Sequence, residues 1–102
     1  MPAQLSPDQQ KAVSVIVRGR VQGVGFRAFT RRHALLLELT GEVMNLADGT
    51  VKAHIEGKQE RVNQLLKLIQ HGPSLARVDQ VVVSPLDPKG KFNSFNVGLS
   101  RR

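Results

Sequence analysis

Residues 18–27 read RGRVQGVGFR, three glycines and three arginines in ten positions. A plain connecting turn needs one glycine or two. A loop that wraps its backbone around a negative charge needs more glycine and more arginine. This stretch lies between an apolar β-branched run and a helical pattern. A helix start presents N–H groups without partners, and its dipole is positive there. Glycines let successive N–H groups converge into a concave nest, and such a nest suits a phosphate-sized anion. Arg27 stands just inside the helix, where a guanidinium can donate paired hydrogen bonds to two phosphate oxygens. The same residues also fit a strand-to-helix turn with surface arginines, because short glycine motifs are weak evidence by themselves.

The elements that must hold this loop follow from periodicity. Residues 12–18 (AVSVIVR) are short and β-branched, a strand. Residues 26–37 carry Phe26, Phe29 or Thr30, His33 or Ala34, and Leu37 at helical spacing. Residues 41–46 and 50–56 are two strands around Asp48-Gly49. The second places Val51, Ala53 and Ile55 on one face and Lys52, His54 and Glu56 on the other. A two-residue turn would set Val43 opposite His54, on the wrong face. A three-residue loop, Ala47-Asp48-Gly49 with Gly49 left-handed, pairs Leu46 with Thr50, Val43 with Ala53 and Asn45 with Val51. Residues 58–71 form a helix with the stripe Val62, Leu65, Leu66 and Ile69, ended by Gly72-Pro73. Residues 77–84 are a strand, 85–91 a polar loop, and 92–99 a last strand with Phe95, Val97 and Leu99 on one face. The order βαββαβ is the split βαβ, ferredoxin-like arrangement of the α+β class, with two helices on one face of a four-stranded antiparallel sheet. Residues 1–11 are polar and expected as a loose tail; residues 12–102 are one domain.

Composition bounds the rest. A chain of 102 residues buries roughly 60–70% of its unfolded surface, enough for one ordinary core. With no cysteine, disulfides and thiolate metal sites are excluded, which fits a reducing, cytoplasmic setting. His33, His54 and His71 are scattered without ligand spacing, so no metal is expected. No apolar run approaches about 20 residues, so no membrane span is expected, and the start lacks a signal-peptide pattern. A formal charge of +7 favours an anionic partner or simple solubility.

Two rival motifs fail on context. Residues 23–28 fit G-x-G-x-x-A, the dinucleotide fingerprint, but that fingerprint needs a parallel strand after the helix and a wide doubly wound sheet. RNA-recognition folds share the βαββαβ order but stack bases on aromatics of the two middle strands. Here those are the first and third strands, and neither holds an aromatic residue.

GRVQGVGFRAFTRRHA followed by GEVMNLADGTVKAHIEG resembles the acylphosphatases, over about residues 13–99. The resemblance implies an enzyme that hydrolyses acyl phosphates to a carboxylate and inorganic phosphate; it is expected to work as a monomer, without metal or other cofactor. It implies that the amides of Gln22, Gly23, Val24, Gly25 and Phe26 bind the phosphate together with Arg27, and that Asn45 positions the attacking water. Read by residue type alone, Asn45 also fits a turn residue satisfying backbone near Asp48-Gly49. Thr30 recurs in the motif and is expected to bond back within its helix. Arg18 and Arg20 flank the loop as anion-steering or plainly solvated cations.

The sequence departs from the family pattern where Glu38 replaces a frequent glycine and Glu42 a frequent large residue. Glu38 in left-handed geometry would cost up to ~1 kcal/mol. Glu42 is expected on the open sheet face with Met44, Lys52, His54 and Glu56. The alternatives are a non-catalytic basic module that binds nucleic acid, and a related module cut from a larger carbamoyl-transfer protein of hydrogenase maturation. The chain's end soon after the last strand favours a free-standing enzyme over the latter.

Overall fold

In the first strand, valines 13, 15 and 17 are buried and alternate with half-buried Ser14 and Ile16, as a period of two requires. A computed structural model of the chain describes residues 9–98. Its elements run β1 (Gln10–Arg20), α1 (Phe26–Leu36), β2 (Thr40–Asn45), β3 (Val51–Lys58), α2 (Gln59–His71), β4 (Arg77–Leu86) and β5 (Phe95–Val97). The sheet order is β4-β1-β3-β2-β5. The first four strands pair antiparallel in the split βαβ order. Both helices lie over one face, where Phe26, Ala34, Val62, Leu65 and Ile69 meet the valines of β1, Val43, Val51, Ala53 and Ile55.

The expected four-stranded antiparallel sheet needs one correction. It has a fifth strand, short and parallel to β2, with Gly41 opposite Phe95 and Val43 opposite Val97. Among the described residues the final segment pairs over Phe95–Val97, because residues 87–94 are used to cross from the β4 edge to the β2 edge. Leu99 lies outside the described residues, as do residues 1–8 of the expected tail. Strand β1 starts at Gln10, which pairs with Lys58, so residues 10 and 11 belong to the sheet. Strand β4 likewise continues through Pro85 and Leu86. Proline is tolerated there because β4 is an edge strand.

The hairpin has the three-residue register: Val43 opposes Ala53, Asn45 opposes Val51, and the Leu46 amide donates to the Thr50 carbonyl at 2.9 Å. Gly49 has φ 91°. Asp48 Oδ1 accepts from the Thr50 amide at 3.0 Å and the Thr50 hydroxyl at 2.6 Å. These bonds hold the exposed Asp48 carboxyl below its usual range, so the Asp48-Gly49 pair is structural. In α1 the choice between alternatives falls on Phe26, Thr30 and Ala34, all buried. The Thr30 hydroxyl donates to the Phe26 carbonyl at 2.9 Å.

Glu38 does take the left-handed conformation, φ 59°. Its amide donates to Leu35 O, and the Leu39 amide donates to Ala34 O, the two bonds of a Schellman cap. The cap is kept with a residue that strains it. Arg61 Nη1 donates to Glu38 Oε1 at 2.7 Å, which offsets only part of that cost in so exposed a pair.

The outer sheet face is not fully open, another correction. Residues 87–94 cross it as a strap. The buried Glu56 carboxylate accepts from the Lys89 amide at 3.4 Å and the Gly90 amide at 2.7 Å. The Phe92 ring packs edge-on to His54, centroids 4.9 Å apart. His54 Nε2 is buried without a hydrogen-bond partner among the described residues; its nearest carboxylate oxygen, Glu56 Oε1, is 3.9 Å away.

Candidate active site

The glycine-rich loop leaves β1 at Arg20 and enters α1 at Phe26. Its ends are anchored by apolar side chains: Val21, Val24 and Phe26 are all buried. Between these anchors Gly23 has φ 73° and Gly25, the helix N-cap, has φ 81°. A Cβ at either position would meet nothing within 4 Å. The glycines are therefore required by backbone conformation, not by crowding.

Among the described residues, the N–H groups of residues 22–28 donate to no backbone acceptor; the first helical bond is Phe29 N–H to Gly25 O, 3.0 Å. These are the donors expected at a helix start. The Thr30 hydroxyl is already committed to Phe26 O, and α1 has no acidic residue in its first turn. The loop therefore presents positive potential with no internal anion.

Arg27 and Asn45 converge on this loop. A cleft of about 220 Å³ is lined by Gly23, Gly25, Phe26, Arg27 and Ala28 on one side, and by Asn45 and Val97 from the ends of β2 and β5, with Val21. Arg27 is half-buried, and no carboxylate among the described residues pairs with it. The cleft can hold a phosphate-sized anion between the amides and the guanidinium, with a water beside the carboxamide.

Of the expected site residues, Gly23, Gly25, Phe26, Arg27 and Asn45 line this cleft. Gln22 and Val24 do not. Val24 turns its side chain into the core. The Gln22 side chain does something its type did not announce. Its Nε2 donates to Leu46 O and to Thr50 O, both at 2.8 Å, tying the loop to the hairpin that carries Asn45. The sequence also gave no sign of Val97, which reaches the cleft only because β5 pairs with β2.

The comparisons with known proteins bear on the family and the fold. Residues 13–97 match the family model described as acylphosphatase. An acylphosphatase of Caldivirga maquilingensis is 52% identical over 83% of this chain and 90% of its own. The structure of an acylphosphatase from Coxiella burnetii superposes with a TM-score of 0.83 at 32% identity, covering 87% of this chain and 93% of that one. The crystal structure of full-length HypF in a phosphate- and nucleotide-bound form matches with a TM-score of 0.82 at 27% identity. It covers 91% of this chain but 12% of HypF, so the same unit recurs inside a much larger protein. With relatives of the first kind matched almost end to end, the chain belongs to the acylphosphatase family, hydrolases that act on acyl phosphates.

Proposed function

We propose that the amides of residues 22–26 and the Arg27 guanidinium grip the phosphoryl group of an acyl phosphate while the Asn45 carboxamide aims the attacking water. The observation that carries this is the convergence of Arg27 and Asn45, distant in sequence, on one cleft beside the glycine loop. An acyl phosphate is a mixed anhydride. Water attacks phosphorus, the bond from phosphorus to the acyl oxygen breaks, and the carboxylate leaves with that electron pair. A carboxylate is a weak base, so it departs without a general acid. What remains is to hold the dianion, stabilise charge on the equatorial oxygens and place the water in line. Amides fixed by the loop and a guanidinium do the first two without reorganising. A carboxamide accepts from the water and donates to a phosphate oxygen, which orients the nucleophile.

The substrate is a small-molecule acyl phosphate and inorganic phosphate is a product. The absence of cysteine supports work in the reducing cytoplasm, and no helix among the described residues is long and apolar enough to cross a membrane. The enzyme is read as a monomer: its most exposed large apolar side chains, Leu36 and Leu75, lie at the end of α1 and in the segment between α2 and β4. The test is phosphate release from acetyl phosphate. Arg27→Ala and Asn45→Ala should each lower kcat by about 10²-fold or more. Unchanged rates in both variants would overturn the assignment of roles.

A further inference from the structure

A second cleft, of about 300 Å³, lies against the first and is lined by Val24, Gly25, Ala28, Phe29, Arg32 and Pro73. Gly25 and Ala28 line both clefts. The boundary between them is thus made of the two smallest side chains available, and the space above Gly25 is open. An extended substrate can cross there without displacing anything. Phe29, in the apolar wall, makes ring contacts with Phe26, at 6.2 Å, and His33, at 4.6 Å. Arg32 is exposed and pairs with no carboxylate among the described residues. A mostly apolar hollow with one directed charge is the usual composition of a small-molecule site.

From this arrangement, and resting on the phosphate-site assignment above, we infer that the acyl group of the substrate lies in the second cleft, and that Arg32 selects acyl groups carrying a distal anion. In-line displacement places the leaving carboxylate opposite the attacking water. Asn45, which holds that water, lines the first cleft and not the second. The acyl group therefore leaves the phosphoryl cleft by the Gly25–Ala28 side. Ala28 and Arg32 share one helix face and are separated by one turn, about 6 Å along the axis. A benzene ring with para substituents has about that span, so a 4-carboxybenzoyl group over Ala28 brings its carboxylate to the Arg32 guanidinium. Acetyl phosphate is too short to reach it.

The experiment compares kcat/KM for acetyl, benzoyl and 4-carboxybenzoyl phosphate. The wild type should favour 4-carboxybenzoyl over benzoyl by about fivefold, the scale of an exposed ion pair of good geometry. Arg32→Ala should bring the ratio near one and Arg32→Glu should invert it. Arg31→Ala removes an equal charge from a residue that lines neither cleft, and should leave the ratio unchanged. Acetyl phosphate should vary less than about twofold among these variants, all of them at exposed positions. A ratio near one in the wild type, or an equal fall in Arg31→Ala and Arg32→Ala, would overturn the inference, the latter by showing only the general field of a basic protein. Acetyl phosphate turnover that survives Arg27→Ala would instead overturn the phosphate site itself, so the two failures are distinguishable.

Discussion

Two regions of this molecule present backbone amides from glycine-bearing turns. At the strap, the Lys89 and Gly90 amides donate to the Glu56 carboxylate, and Gly90 has φ 63°. At the loop, Gly23 and Gly25 take similar left-handed values, yet the amides of residues 22–28 find no backbone acceptor among the described residues. The chemistry is the same and the ownership of the anion differs. At the strap the chain supplies its own carboxylate, and the result is attachment of a crossing segment to the sheet. At the loop the chain supplies donors and a guanidinium but no acid among the described residues, which is what the proposed grip on a foreign oxyanion needs. A glycine-bearing turn becomes functional when its complement is left out of the sequence.

That contrast can be broken or sharpened. The largest effects belong to the loop side: loss of Arg27 or Asn45 should cut acetyl phosphate turnover about 10²-fold or more while the urea unfolding midpoint barely moves. On the strap side the pattern should reverse. Glu56→Ala leaves two amides without their acceptor and should cost about 1–3 kcal/mol in urea unfolding, with acetyl phosphate kcat within about twofold of wild type. A Glu56→Ala enzyme as inactive as Arg27→Ala would abolish the distinction. A smaller change is expected at the strained helix end. Glu38→Gly relieves left-handed strain, loses an exposed ion pair to Arg61 and gains unfolded-state freedom, for a net stabilisation below about 1 kcal/mol. A lower midpoint would show that the ion pair outweighs the strain.

The smallest effect is a slope against pH. Burial lowers the His54 pKa below its ordinary value; the Glu56 and Glu42 carboxylates oppose that shift, and Lys91 adds to it. Because the folded state resists the proton, the unfolded chain binds more protons as pH falls through about 6.5. The His54 contribution to stability is therefore full above that pH and declines below it until the folded histidine also protonates. Urea midpoints at pH 7 and pH 5 should differ less in His54→Gln than in wild type. An unchanged difference would remove His54 from the pH response.

What the sequence made legible was what periodicity or a demanded backbone conformation carries. The hairpin register followed because one residue of slip would have set Val43 against His54. Thr30 was readable as a hydroxyl facing its own helix, and the loop as a glycine-rich helix start. The strap escaped because residues 87–91 have no period and residues 92–94 fall within the expected last strand, and a polar loop does not announce which surface it crosses. Glu56 accordingly looked like a solvent-side residue of an alternating strand, though it is 6% exposed. The parallel placement of β5 was hidden for the same reason, since only the crossing chain determines which edge it reaches. The coincidence of Arg27 and Asn45 at one cleft came from family resemblance, because neither spacing nor residue type links a helix start to the end of a distant strand.

The Gln22 side chain bridges carbonyls on both arms of the hairpin, one of them belonging to Leu46, the neighbour of Asn45. A single primary amide thus acts as a spacer gauge between two independently built parts, the glycine-rich loop and the hairpin arm that carries Asn45. Shortening it would leave each part intact and loosen their spacing, so the fidelity of the whole device is stored in a side chain whose Nε2 is committed to hairpin carbonyls, separate from the main-chain amide of the same residue.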